Sequence, residues 1–244
     1  YEISYFENAW EGSSCSPYVD DCVRDGLAER TFWNLARSTI LAQLYDAARP
    51  NPFASVSLAH LKSLGSLAKE PTADSAPRLT ILHALLPHQP LLLSADCTIA
   101  RASDRGGFAA ATEELRNGAK DLYLDQVECV NSLVISGLEE ILAANPNTIV
   151  MITGDHGSGA LLAEGNDTAS QLPQALFERM SILSAYRLPG CEAHVYPTIT
   201  PVNGTRALTD CALGTGRGTL PDRSLWATED KFGFIVDLEG RLDP

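Results

Sequence analysis

The apolar residues of this chain fall into stretches of different period, and each period predicts a different element. Residues 1–6, Tyr-Glu-Ile-Ser-Tyr-Phe, carry aromatic and β-branched side chains up to polar Glu7 and Asn8, the make-up of a short strand. A loop with Cys15, Pro17 and Cys22 follows. Across 27–48 the apolar Leu27, Phe32, Leu35, Ile40, Leu41 and Leu44 recur near helical spacing, and Pro50 and Pro52 close that helix. Residues 71–77 read as a polar linker.

Leu79 and Ile81 open a strand that breaks at Pro87. Beyond Gly106 and Gly107 a long helix is expected over 112–143. Val127, Val130, Val134, Leu138 and Ile141 share one of its faces, and Asn145-Pro146-Asn147 stops it. Residues 148–153, Thr-Ile-Val-Met-Ile-Thr, are almost continuously apolar, as in a central strand buried on both faces. Strand, helix and strand of these lengths make a βαβ unit and predict an α/β fold, a mainly parallel sheet with helices on both faces. Further on, 180–188 reads as another strand turned by Pro189-Gly190, and Pro197, Pro201 and Pro221 punctuate an irregular section. Phe232, Phe234, Val236 and Leu238 alternate, and Glu239-Gly240 offers the turn of a C-terminal β-hairpin. With no internal repeat and no visible second domain, 1–244 is read as one domain.

Composition narrows the function classes. A chain of 244 residues, 45% hydrophobic and 20% charged, can bury a sizeable core. Its 18 Lys and Arg against 31 Asp and Glu give a net charge of -13. Such a surface repels nucleic-acid phosphates and anionic headgroups, so nucleic acid is excluded as a partner attracted at long range. One local basic pocket remains compatible with that balance. No apolar stretch reaches the roughly 20 residues of a membrane helix. Residues 79–93, the most apolar, are interrupted by His83, Pro87, His88 and Pro90. Neither a signal peptide nor an initiator Met opens the chain, which is expected to be part of a longer protein. The six cysteines lack Cys-x-x-Cys spacing. Free buried thiols would fit, and so would disulfides in an oxidising compartment. In the second case, loop placement pairs Cys15 with Cys22 and Cys191 with Cys211.

Ligand sites in open α/β sheets lie outside the carboxyl ends of the strands. The strand ending at Thr153 delivers Gly154-Asp155-His156-Gly157 to such a place. A carboxylate and an imidazole side by side suit Zn²⁺ or Mn²⁺, provided the chain turns so that both reach one ion. Flanking glycines permit that turn through positive φ. An ordinary strand-to-loop turn with a solvated Asp and His fits the same spacing. His60 and His194 have no motif around them and are read as structural, and His83 is read as a packed strand residue.

Taken in order, several segments resemble the sulfatase-like enzymes of the alkaline-phosphatase superfamily, which include sulfatases, lipoteichoic acid synthases and phosphoethanolamine transferases. They are Thr-Ile-Val-Met-Ile-Thr-Gly-Asp-His-Gly, Tyr123-Leu124-Asp125-Gln126-Val127 with Asn131, and Leu82-His83 through Pro87-His88-Gln89-Pro90. Arg179 to Pro189 and Ile199-Thr200-Pro201-Val202-Asn203 with Arg206 resemble the closing part of such domains on bacterial membrane proteins. The resemblance runs from Leu79 onward. It implies an alkaline-phosphatase-like fold, with Asp155 and His156 as metal ligands and a divalent metal, Mn²⁺ or Zn²⁺ with Ca²⁺ or Mg²⁺ as alternatives. It implies His88 as the catalytic residue that contacts the transferred phosphoryl or sulfuryl group. Arg179 and Arg206 would clamp an anionic substrate group.

The family's nucleophile and acidic metal ligand lie on an N-terminal strand and helix, and are expected before Tyr1. Cys15-Ser16-Pro17 is followed by Tyr18 and Val19, without the Arg of a formylglycine motif. The expected function is a metal-dependent phospho- or sulfo-ester hydrolase or transferase, acting on a small-molecule or lipid-headgroup ester. The parent is expected to be anchored in a membrane by segments outside this chain, with this part periplasmic or at the cell surface. The chain as it stands is expected to be inactive. Two rivals remain open, a degenerate non-catalytic binding module of the same fold and a true sulfatase.

Overall fold

The structure is a computed structural model that describes residues 1–8, 14–24, 35, 52–68, 76–99, 120–159, 161, 173–227 and 235–238. The helix expected over 27–48 falls, but for Leu35, outside the described residues, as does most of the linker at 71–77. The fold is mixed α/β. It packs as two compact units, Tyr1–Pro146 and Asn147–Pro244.

The first unit is built on a three-stranded parallel sheet. Strand β1 (Glu2–Phe6) lies between β2 (Asp21–Val23) and β3 (Arg78–Leu82). Tyr5 is opposite Cys22 on one side and Ile81 on the other. Ser4 and Phe6 are buried, as the central position of β1 requires. Helix α1 (Pro52–Lys62) and helix α2 (Lys120–Ala144) supply the other layer. Their shared core joins Leu58 and Leu61 to Leu86, Leu92, Leu93 and Cys129, with Val130, Leu133 and Val134 packed against it. Helix α2 stops at Ala144, just before Asn145-Pro146, as expected; residues 112–119 lie outside the described ones. The five residues of its expected face are all half-buried, Val130 and Val134 against this core. The most covered residues of the helix are Gln126, Cys129 and Gly137. Gly137 is required by packing, because a Cβ there would press into the Leu64 side chain.

In the second unit β4 (Val150–Thr153) pairs antiparallel with β5 (Ser184–Arg187), Val150 opposite Arg187 and Thr153 opposite Ser184. Among the described residues β3 pairs with β1 and β4 with β5, so the expected βαβ pairing is not among the ladders they form. Nor is β4 buried on both faces; Val150 to Ile152 are half-buried and Thr153 is exposed. An apolar run states how much burial a strand can use, but it does not select the strand's neighbour. Helix α3 (Pro173–Met180) connects the two strands.

The section expected to be irregular holds helix α4 (Pro201–Leu213), which starts with Thr200 as N-cap and Pro201 in its first turn. Proline there has no N–H to lose and its fixed φ suits helix entry. Gly204 lets α4 approach β5, because a Cβ at that position would collide with the Tyr186 hydroxyl. The chain closes with β6 (Leu225–Ala227) antiparallel to β7 (Ile235–Asp237), so a C-terminal hairpin is present. The turn expected at Glu239-Gly240 lies outside the described residues. Leu176, Trp226 and Leu238 form this unit's core.

All six cysteines are paired, Cys15–Cys22, Cys97–Cys129 and Cys191–Cys211. The first and third pairs are those expected from loop placement. Their Cα atoms stand 6.1 and 5.9 Å apart. The second pair ties a loop to a helix and has no sequence cue. Three disulfides mark an oxidising setting, extracytoplasmic or secreted. No helix among the described residues is long and apolar enough to cross a membrane.

Candidate functional site

Strand β4 ends at Thr153, and the Gly154 amide donates to the Leu183 carbonyl at 2.9 Å, keeping the chain beside β5 as it leaves the strand. The turn that follows brings Asp155 and His156 to the same side. Asp155 Oδ1 accepts from the His156 amide at 2.9 Å, and Asp155 Oδ2 stands 3.4 Å from His156 Nε2. The glycines serve this turn differently from the sequence expectation. Neither Gly154 nor Gly157 has positive φ. Gly157 is needed for close approach, because a Cβ there would collide with the Glu178 and Ser181 carbonyls. Its amide donates to the Arg179 carbonyl at 2.7 Å, which docks the turn on the end of α3.

That contact delivers a third expected residue. Arg179 Nη1 stands 2.6 Å from His156 Nδ1 and donates to the Gly157 carbonyl at 3.0 Å. Burial lowers the pKa of the Arg179 guanidinium and the nearby Asp155 charge raises it, the first effect being larger. Arginine remains a donor throughout, so Nδ1 accepts and the hydrogen of a neutral His156 ring sits on Nε2, toward Asp155. Asp155, His156 and Arg179 thus form one constellation, with the Asp155 side chain 84% exposed and that of His156 37% exposed.

The pair can be tested against a metal. Two ligands on one tetrahedral Zn²⁺, at the usual bond lengths, lie about 3.4 Å apart, which the Oδ2 to Nε2 separation matches. Loading Nε2 would move the ring hydrogen to Nδ1, where the Gly157 carbonyl at 3.0 Å is a ready acceptor of the kind that orients ligating histidines. Arg179 would then keep only its bond to Gly157. Among the described residues no further His, Cys, Asp or Glu joins Asp155 and His156 in a metal-sized cluster. The pair fits two corners of a metal site and supplies no more.

His88 belongs to the first unit, on the loop after β3. Its amide donates to the Leu85 carbonyl at 2.8 Å, and Nδ1 stands 2.6 Å from the Gln89 carbonyl. A carbonyl only accepts, so in the neutral ring the hydrogen is on Nδ1 and the lone pair on Nε2. Arg206, on α4, spends its guanidinium on the backbone carbonyls of Arg217 and Gly218, which makes it an anchor of the 216–218 loop. His83 lies just past β3 and is exposed, in contrast to the packed strand residue expected. His60 is fully buried, with its ring edge-on to Phe6 at 5.3 Å between centroids.

Two further groups escaped the sequence reading. At the start of α4, Asp222 accepts from the Thr200 amide at 2.9 Å and hydroxyl at 2.5 Å, from Tyr196 at 2.5 Å and from Asn203 at 2.8 Å. Burial works against the Asp222 charge, yet these hydrogen bonds outweigh it and bring the pKa down to about 2. The cue was Thr200 ahead of Pro201, a helix start. In the first unit, the carboxyl ends of the parallel strands bear Glu7, Asn8, Arg24 and His83. Glu7 pairs with Arg24 at 3.3 Å and Asn8 donates to the His83 carbonyl at 3.1 Å. Glu7 also lies with the sulfurs of Cys15 and Cys22 in a metal-sized cluster, but a disulfide offers no thiolate to a metal.

Comparison of the chain with protein-family models, with characterised proteins and with solved structures gives no match.

Proposed function

We propose that this chain is part of the extracytoplasmic domain of a membrane-anchored, metal-dependent phospho- or sulfo-ester hydrolase or transferase, of the sulfatase-like type in the alkaline-phosphatase superfamily. The observation that carries this reading is the Asp155–His156 pair at the exit of β4, with its ligand atoms 3.4 Å apart. The ordered set of motifs supports it, as does the oxidising setting that three disulfides imply. A bound divalent metal would supply Lewis acidity toward an ester oxygen. Asp155 and His156 would hold it, and the Arg179 guanidinium beside them would attract the anionic ester group. For His88, in the other unit, the resemblance alone implies a proton-transfer role, with its lone pair on Nε2. The substrate class is a small-molecule or lipid-headgroup phosphoester or sulfate ester.

The test is a titration of Mn²⁺ and of Zn²⁺ into the chain, repeated on Asp155→Ala and His156→Ala. One metal-binding event that both variants abolish is the expected result. Metal binding that persists unchanged in both overturns the reading. An assay on an aryl phosphodiester and an aryl sulfate accompanies it, with little turnover expected from two protein ligands alone.

A second reading is favoured by one contact. Arg179 Nη1, 2.6 Å from His156 Nδ1, brings a fixed cation to the place where a metal would add another. A binding module that keeps the fold and holds an anion at Arg179 accounts for that arrangement without chemistry. Sulfate or phosphate binding that needs Arg179 and is unaffected by a chelator would select it.

A further inference from the structure

We propose that Gln126 is the positioning residue for His88, fixing its loop on α2 so that the ring is held as the Nδ1–H tautomer. This rests on the reading of His88 as the proton-transferring residue. Gln126 is fully buried at the start of α2, where an apolar side chain would ordinarily serve the core. Its carboxamide is committed to the backbone of one loop. Oε1 accepts from the Leu92 amide at 3.0 Å and the Leu93 amide at 3.2 Å. Nε2 donates to the Pro87 and His88 carbonyls, each at 3.0 Å, and approaches the Pro90 carbonyl at 3.5 Å. One side chain thus grips the peptide groups on both sides of His88 and the exit of its loop.

A second anchor lies one helical turn along the same face. Cys129, fully buried, is bonded to Cys97 at the far end of the same stretch of chain. Between the two anchors Leu93 bridges Ile99, and the Cys97 amide donates to the Ser94 carbonyl at 2.9 Å. The loop is therefore held at its front by a carboxamide and at its back by a disulfide. This bears on His88 directly, because the ring's own orienting contact is to backbone. Gln89 presents its carbonyl to Nδ1 at 2.6 Å, and that peptide keeps its direction while the flanking carbonyls of Pro87, His88 and Pro90 are held. Replacing Gln126 by an apolar residue would leave the Leu92 and Leu93 amides without this acceptor and release the His88 peptide. A residue that does chemistry needs its partners locked in this way.

The experiment reads the tautomer by long-range ¹H–¹⁵N NMR of histidine rings in the intact chain at neutral pH, with His88→Ala to assign the signal. In the wild type His88 is expected as a single Nδ1–H tautomer. Gln126→Met, which removes donor and acceptor together, should lose that single signature and give a mixture or the Nε2–H form. Gln126→Glu keeps the acceptor for Leu92 and Leu93 but loses both donors, and should show the same loss. Circular dichroism melts report whether each variant folds. A wild-type His88 in the Nε2–H form overturns the proposal, and so does a folded variant that keeps the Nδ1–H form. Should neither variant fold, the wild-type spectrum alone decides. None of these readouts needs metal or turnover, so failure of the Asp155-dependent metal titration would sink the ester reading and leave this result standing.

Discussion

At the scale of single residues, two positions around His156 separate architecture from chemistry. Gly157 sits where any Cβ would collide with the Glu178 and Ser181 carbonyls, and backbone oxygens cannot turn aside as a side-chain end would. Gly157→Ala should therefore cost roughly 1–3 kcal/mol, the usual range for overpacking. It should also separate Arg179 from His156, since both depend on the docking of this turn against α3. Chemical denaturation measures the first effect; a loss within experimental error would mean the turn docks some other way. Arg179 tests the site's polarity. A guanidinium a few ångströms from an incoming divalent cation opposes it by about 1–2 kcal/mol when the pair is screened as in bulk water. Arg179→Gln should tighten Zn²⁺ binding roughly tenfold under the metal reading. Under the anion-binding reading the same substitution abolishes sulfate binding instead. A titration with each ion tells the two apart.

At the scale of elements, the start of α4 carries a pH-dependent contribution to stability. Asp222 has an ordinary pKa of 3.8 and a folded value of about 2. A folded pKa below the unfolded one means the stabilisation is present above the unfolded value and is lost as pH falls through the interval from 3.8 to about 2. The carboxylate is exposed, so solvent screening reduces its worth. Asp222→Asn should lower the melting temperature at neutral pH and flatten the acid limb of the stability profile, with wild type and variant converging near pH 2. Parallel curves across that range would show that Asp222 does not hold the helix start. The elements also show what the sequence made legible. β1, β3 and the stop of α2 followed from side-chain type and from Asn145-Pro146, because strand propensity and proline act locally. β4 was legible as a strand, but its antiparallel partner was not, since pairing is decided by what else is in reach. α4 is hidden among three prolines that suggest breaks, although Pro201 after Thr200 marks a helix entry. The Asp155–His156 pair was legible from the strand exit. Arg179 joined it through a docking contact with α3 that no spacing rule contains. The role of Gln126 is not legible, because a buried glutamine breaks the apolar pattern that marks a helix face.

At the scale of the whole molecule, the three disulfides set what the chain requires of its surroundings. The first unit holds two of them and the second holds one. Their sequence separations are 32 for Cys97–Cys129, 20 for Cys191–Cys211 and 7 for Cys15–Cys22. Loop-closure entropy in the unfolded chain then ranks them at about 4, 3 and 2 kcal/mol respectively. Packing strengthens that order at the top, because Cys129 is fully buried and its partner anchors the loop of His88. Paired replacement by alanine should give stability losses in the sequence Cys97–Cys129, Cys191–Cys211, Cys15–Cys22. Only the last variant should leave both cores intact, since Cys15–Cys22 closes a short surface loop. Made in a reducing cytoplasm, the chain should be alkylated at all six cysteines and melt well below the oxidised form. Exported to an oxidising compartment, it should resist alkylation until reduced. A chain that melts identically with and without its disulfides would show that the two hydrophobic cores suffice alone, and would remove the strongest physical argument for an extracytoplasmic setting.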